Sequence, residues 1–284
     1  MNITQVGVIG VGQMGSGIAQ VCAASGYTVV VYDKSKDNYE LAKKRINKSL
    51  EKFVSKGKLS EDDAAKIKEK ITFLEKLEDI KESDLVIEAI IENVEIKLNL
   101  FKEVSNILRN KDAIIASNTS SISITKLATA VQNSSNFIGI HFMNPVPIMK
   151  LVEIIRGLQT SEGCYQTAVK FVESLDKISV EGIDRPGFVV NRILCPMINE
   201  AIFLVAEGVK PEDIDKAMKL GTNHPMGPLE LADFVGLDTL HYILQILHRE
   251  LGEDKYRPCP LLTKYVEAGW YGRKSGRGFY IYNE

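Results

Sequence analysis

The chain has 284 residues, 45% of them hydrophobic and 25% charged, and its net charge is -2. That length suits two domains, each able to bury its own core. The near-balanced charge argues against a polyanion-binding protein, whose basic surface would have to neutralise many phosphates, so no nucleic-acid partner is expected and phosphate recognition should be local.

In chain order, Met1–Val6 runs directly into an apolar strand, with no basic leader region, long apolar stretch or small-residue cleavage site. No window reaches the roughly 18 continuous apolar residues of a membrane span. The expectation is a cytoplasmic chain without membrane association. Strands are predicted near Val6–Ile9, Thr28–Tyr32, Leu85–Ala89, Ala113–Ser117, Phe137–His141, Lys150–Ile155 and Ile178–Val180. Helical segments separate several of them, which is the alternation of βαβ units and a parallel sheet. A helix pair interrupts this pattern between Asp37 and Lys76. Its first member carries Ile46, Leu50, Phe53 and Val54 on one face, with Arg45, Lys48, Lys52 and Lys56 on another. The second opens at Ser60-Glu61-Asp62-Asp63, where Ser60 can accept a backbone N–H and the acids complement the helix dipole.

After Gly187 the character turns helical, over 188–207, 211–220 and 237–251, with Pro211 where a first helical turn tolerates it. Gly182 and Pro186 punctuate the change. The predicted fold class is α/β: a Rossmann-type, doubly wound, mostly parallel sheet with an inserted helix pair over 1–184, then an all-α domain over 185–284. A turn-rich loop, Gly269–Gly278, and a short strand, Phe279–Tyr282, close the chain. Cys22, Cys164, Cys195 and Cys259 lie far apart with no C-x-x-C or Cys/His metal pattern, so they read as buried reduced thiols and no metal site is expected.

Immediately after the first strand comes Gly10-Val11-Gly12-Gln13-Met14-Gly15, then a helical run over Ser16–Ser25, and Asp33 ends the second strand. This is the register of a dinucleotide site. Gly10 permits the tight turn, Gly12 lets the backbone approach a diphosphate, and Gly15 lets helix and strand pack closely. Gln13 and Met14, within the turn, join the cofactor contacts. The helix N-terminus offers N–H groups and a positive dipole end. Asp33 would bind the adenosine ribose hydroxyls and repel a 2′-phosphate, which favours NAD over NADP. Lys34 and Lys36 beside it soften that repulsion and keep NADP open.

Ligands of open parallel sheets bind at the carboxyl ends of the strands. The residues there are Gly10–Gly15, Asp33, Glu92-Asn93, Ser117-Asn118-Thr119-Ser120 and His141-Phe142-Met143-Asn144. Hydride transfer from an alcohol needs a group that takes the hydroxyl proton, and His141 is the only histidine predicted at the end of a core strand. His224, His241 and His248 fall in the helical half and read as exposed or satisfied by packing. Glu153, among apolar neighbours in the next strand, would be costly unless paired, so it is the candidate partner of His141. Spacing alone leaves it open as a surface acid of an edge strand. Lys48, Lys52 and Lys56 form an i, i+4, i+8 stripe that could hold the phosphates of a carrier, or simply face water. Arg273-Lys274-Ser275-Gly276-Arg277 has the same two readings.

Taken together, these motifs closely resemble the short-chain (S)-3-hydroxyacyl-CoA dehydrogenase family, and within it the bacterial 3-hydroxybutyryl-CoA dehydrogenases. The resemblance covers essentially the whole chain. Besides the glycine turn and Asp33 it rests on Glu88–Asn93, Ser117–Ser121, His141–Pro147, Leu151–Glu153, Pro186–Arg192 and Pro225–Pro228. It implies interconversion of (S)-3-hydroxybutyryl-CoA and acetoacetyl-CoA with NAD(H), in short-chain fatty-acid and butanoate metabolism, with His141 as base in oxidation and acid in reduction and Glu153 as its partner. It implies substrate-orienting roles for Ser120 and Asn191, acyl-CoA contacts at Ser49 and Lys56, and cofactor contacts at Asp33, Glu92, Lys97, Ser120, Asn144 and Lys274. It also implies a homodimer or dimer of dimers formed by the helical domain. Two other classes stay open, a dehydrogenase of a free hydroxy acid or sugar acid and a non-catalytic nucleotide-binding protein.

Overall fold

The computed structural model describes residues 2–282, and the chain divides into two compact units between Asp184 and Arg185. The first is built on an eight-stranded sheet of β1 (Gln5–Ile9), β2 (Thr28–Tyr32), β3 (Ile71–Phe73), β4 (Leu85–Glu88), β5 (Ile114–Ser117), β6 (Phe137–Phe142), β7 (Leu151–Arg156) and β8 (Ile178–Ile183). Its order is β3-β2-β1-β4-β5-β6-β7-β8. The inner strands read as near-continuous apolar runs because helices cover both faces of a parallel sheet. Strand order reverses between β1 and β4, which creates the switch point where such sheets take ligands.

The helices of this unit are α1 (Gln13–Ala24), α2 (Asp37–Ser55), α3 (Glu61–Glu69), α4 (Val94–Ile107), α5 (Ile124–Ala128) and α6 (Glu162–Ser174). Ile18 and Cys22 of α1, Ile46 and Leu50 of α2 and Phe171 of α6 pack with Val6, Val8, Val29, Val31, Ile138 and Ile140 of the sheet in one core. On α2 the buried residues Tyr39, Ala42, Ile46 and Leu50 fall three and four apart, while Lys48 and Lys52 face water. Truncating Ile46 or Leu50 to alanine would cost about 2–5 kcal/mol. Ser60 caps α3 by accepting the Asp63 N–H at 3.0 Å.

The second unit contains α7 (Val190–Ala206), α8 (Pro211–Thr222), α9 (Pro228–Val235), α10 (Leu237–Leu251) and α11 (Pro260–Glu267). Three of these helices begin with proline, whose missing N–H costs nothing in a first turn. Their core gathers Ile198, Ile202, Ile214, Leu229, Leu240, Leu244, Leu247 and Leu262. Two buried acids organise it. Asp215 accepts the Leu229 and Glu230 N–H groups at 2.8 and 2.9 Å, capping α9, and the Tyr280 hydroxyl at 2.7 Å. Asp233 accepts the N–H groups of Phe279 and Tyr280 at 3.0 and 2.9 Å and the Tyr282 hydroxyl at 3.1 Å.

Those bonds correct the strand predicted at Phe279–Tyr282. Its aromatics look like a strand, but the Phe279 and Tyr280 N–H groups go to a helix carboxylate, the Tyr282 N–H goes to the Gly276 carbonyl at 2.9 Å, and Ile281 makes only an isolated bridge to Arg277. The three-residue β3 and the short α9 are too brief for periodicity to mark. All four cysteines are buried and free. Among the described residues no helix is long and apolar enough to cross a membrane.

Candidate active site

The turn between β1 and α1 separates two kinds of glycine. Gly10 has φ +90°, and a Cβ there would lie 2.6 Å from the Ala89 carbonyl oxygen; a Cβ on Gly15 would lie 1.7 Å from the Gly10 oxygen. The chain's own packing demands both. A Cβ on Gly12 would meet nothing within 4 Å. Gly12 also caps α1 without a side-chain hydrogen bond. Its bareness therefore serves nothing inside the chain and clears the approach to a helix N-terminus, as a diphosphate requires.

Asp33 follows β2, whose last residue pairs with Ile9 of β1. One carboxylate oxygen accepts the Val11 N–H at 2.9 Å, and the other accepts from the Ser35 N–H and the Asn38 amide, each at 2.9 Å. A carboxylate has about four lone-pair positions, so this fixed group retains acceptor capacity for ribose hydroxyls. An open Gly12, a bare helix N-terminus and an anchored acid at the end of β2 fit a dinucleotide.

His141 and Glu153 face each other across the β6–β7 ladder, the one antiparallel pairing among the eight strands. Nδ1 of His141 lies 2.7 Å from Oε2 of Glu153. Glu153 is fully buried and His141 is 7% exposed. Against an ionised Glu153, which only accepts, Nδ1 is the donor of this bond. Burial fixes the imidazole in one tautomer and orientation. Beside it, Asn118 Oδ1 accepts the Phe142 N–H at 2.9 Å and ties the end of β5 to that of β6.

A second charged group stands at the switch point. Lys97 of α4, 1% exposed, contacts Glu88 Oε1 at 2.5 Å and Glu92 Oε2 at 3.2 Å. Glu88 also accepts the Ser117 hydroxyl at 2.6 Å and the Ile90 N–H at 2.7 Å. Burial pushes its carboxyl up, opposed by the Lys97 ammonium and these donors. Glu92 accepts the Thr119 hydroxyl at 2.5 Å, the Ser121 hydroxyl at 3.0 Å and the Ser120 N–H at 3.1 Å. Burial also acts upward on Glu92, but Lys97 and the hydroxyls outweigh it and hold that carboxyl below the ordinary range.

Most residues expected at the site share this rim of the first unit. Gln13 Nε2 donates to Asn144 Oδ1 at 3.0 Å, while Met14 packs against the core. Ser49 lines a cleft of about 280 Å³ with Arg45, Gln13, Asn144 and Pro147. The lysine stripe does not line it. Lys56 is the exposed residue that ends α2, and Arg45, one turn before Ser49, is the cation at the cleft. Asn191 lies in the first turn of α7 in the helical unit, where Lys274 is paired with Asp238 at 2.7 Å. Spacing pointed to neither Arg45 nor Glu88. Only the i, i+4 relation of Arg45 to Ser49 marks the first, and an acid closing a buried apolar strand marks the second.

The chain is similar to known proteins over its whole length. Residues 5–184 match the family model for the NAD binding domain of 3-hydroxyacyl-CoA dehydrogenase, and residues 187–282 match that for its C-terminal domain. A probable 3-hydroxybutyryl-CoA dehydrogenase of Bacillus subtilis is 53% identical over 285 residues, spanning 100% of this chain and 99% of that one. The crystal structure of FadB2 from M. tuberculosis superposes with a TM-score of 0.98 at 44% identity, covering 100% of both chains. That of the (S)-3-hydroxybutyryl-CoA dehydrogenase PaaH1 from Ralstonia eutropha gives 0.94 at 47%, again over 100% of both.

Proposed function

The chain belongs to the 3-hydroxyacyl-CoA dehydrogenase family, and from that premise we propose that it interconverts (S)-3-hydroxybutyryl-CoA and acetoacetyl-CoA with NAD(H), in short-chain fatty-acid metabolism. The observation that carries the reading is the 2.7 Å contact of His141 with Glu153, at the same strand ends as the glycine turn. When bound, the nicotinamide supplies the hydride acceptor.

His141 takes the C3 hydroxyl proton through Nε2 in oxidation and returns it in reduction, a task worth roughly 10²–10⁴ in rate. Glu153 holds the tautomer and stabilises the imidazolium that forms. Ser120 and Asn191 orient the substrate, and Ser49, Lys56 and Arg45 contact its CoA portion. The first turn of α1 receives the diphosphate, with Glu92, Lys97, Asn144 and Lys274 as further cofactor contacts. Asp33 selects NAD over NADP, because a fixed carboxylate repels a 2′-phosphate. The helical unit exposes Ile193, Leu204, Phe234 and Val235, an apolar surface suited to a homodimer or dimer of dimers. The compartment proposed is the cytoplasm.

Oxidation rates of NADH and NADPH against acetoacetyl-CoA, longer 3-ketoacyl-CoAs and free acetoacetate test the reading. The fastest pair should be NADH with acetoacetyl-CoA. Equal turnover of free acetoacetate would replace the CoA ester with a free acid, and equal use of NADPH would remove the role given to Asp33.

A further inference from the structure

Glu88 belongs to no step above, although it is the hub of the most buried charged group in the first unit. As the last residue of β4, in register with Ile9 of β1 and Ser117 of β5, it lies under the switch point with no exposure at all. Its partners, the Lys97 ammonium, the Ser117 hydroxyl and the Ile90 N–H, can all donate. With an ammonium and a backbone N–H on Oε1, this pattern suits an ionised carboxylate. Lys97 is shared with Glu92. Among these three groups, two carboxylates against one ammonium leave one negative charge in excess, shared between the buried Glu88 and the partly exposed Glu92.

The fold decides what this charge faces. With Asp33 at the adenosine end and the diphosphate on α1, the other half of a dinucleotide must cross from β1 to the β4 and β5 side, toward His141 on β6. That half changes charge in the reaction, since the oxidised nicotinamide is cationic and the reduced one neutral. Resting on the reading of the site as an NAD(H) dehydrogenase, we propose that Glu88 sets its redox preference: the negative excess of the Glu88–Lys97–Glu92 cluster favours the oxidised cofactor over the reduced one. Glu88 acts through the field of this cluster and is a specificity-determining residue, not a catalytic one.

The test is a pair of binding constants for each variant of the full chain, Kd for NADH from its fluorescence and Kd for NAD+ from displacement of NADH. Glu88→Gln removes the charge at nearly constant shape. It should weaken NAD+ about tenfold and leave the NADH Kd unchanged. Glu92→Gln, at a partly buried loop position, also removes a proposed cofactor contact and weakens both forms, but NAD+ should weaken more than NADH, and that ratio decides the matter if Glu88→Gln does not fold. Ser117→Ala disturbs the same hydrogen bonds without changing charge and should keep the wild-type ratio. Equal weakening of both cofactor forms in the glutamine variants, or an equal shift in Ser117→Ala, would show a merely structural role and overturn the proposal. Wild-type chain that binds neither form would overturn the dehydrogenase reading itself.

Discussion

Both units bury carboxylates, but they surround them with different partners. In the first unit Glu153 meets the imidazole of His141 and Glu88 meets the ammonium of Lys97, side chains that titrate or carry charge at the strand ends. In the helical unit Asp215 and Asp233 meet backbone N–H groups and tyrosine hydroxyls. Burial raises the Asp233 carboxyl despite the N–H groups of Tyr280 and Phe279. An acid surrounded by fixed donors works as a bracket for the chain. An acid set against an imidazole or an ammonium at the strand ends is the arrangement the proposed chemistry would use. Burial alone does not separate the two; the partner does.

The largest effect that tests this contrast is on turnover. His141→Ala should lose about 10²–10⁴-fold in kcat while the NADH Kd stays near wild type, and its Tm should fall because the buried Glu153 carboxylate loses the imidazole. Near-normal turnover of the folded variant would place His141 among the brackets. Asp215→Ala should cost stability alone. It strands the Leu229 and Glu230 N–H groups and the Tyr280 hydroxyl, so stability should fall by on the order of 3 kcal/mol, read from denaturant unfolding, with kcat unchanged below the transition. Loss of activity at full stability would put Asp215 on the chemical side.

The smallest effect concerns acid. Because Glu92 is held below the ordinary carboxyl range in the folded chain, its contribution to stability is fully present above about pH 4.3, where a free glutamate titrates, and is lost as pH falls through the lower folded value. The Tm deficit of Glu92→Gln should therefore be constant at neutral pH and shrink under acid. A deficit that grows with acidity would mean that the Lys97 contact does not govern this group.

The sequence exposed what local chemistry dictates. Gly15 is demanded by the Gly10 carbonyl within the same turn, and Gly10 by its φ of +90° as well as by the distant Ala89 carbonyl, so the turn could be recognised from its own residues. His141 was legible as a histidine ending a core strand, and Glu153 as an acid that apolar neighbours would not tolerate alone. Glu88 was not, because it falls inside the strand predicted over Leu85–Ala89 with nothing beside it to mark a partner, and Lys97 lies on a later helix. Nothing in the sequence marks Asp215 and Asp233, since the tail residues they hold are 46 to 65 positions away. The same distance hid the true state of Phe279–Tyr282, whose aromatics imitate a strand.

The antiparallel step from β6 to β7 has a consequence for engineering. A parallel neighbour would have required a long crossover to bring Glu153 beside His141, whereas here the turn over 143–150 does it. Side chains alternate faces along a strand, so shifting β7 by one residue would turn Glu153 to the far side of the sheet and bring an apolar neighbour opposite the imidazole. The pair thus behaves like a word spelled by sheet register. Changes of residue type in the connecting turn can be read through, but a single inserted or deleted residue that passes into β7 is a frameshift in space, erasing the dyad while every one of its atoms remains in the chain.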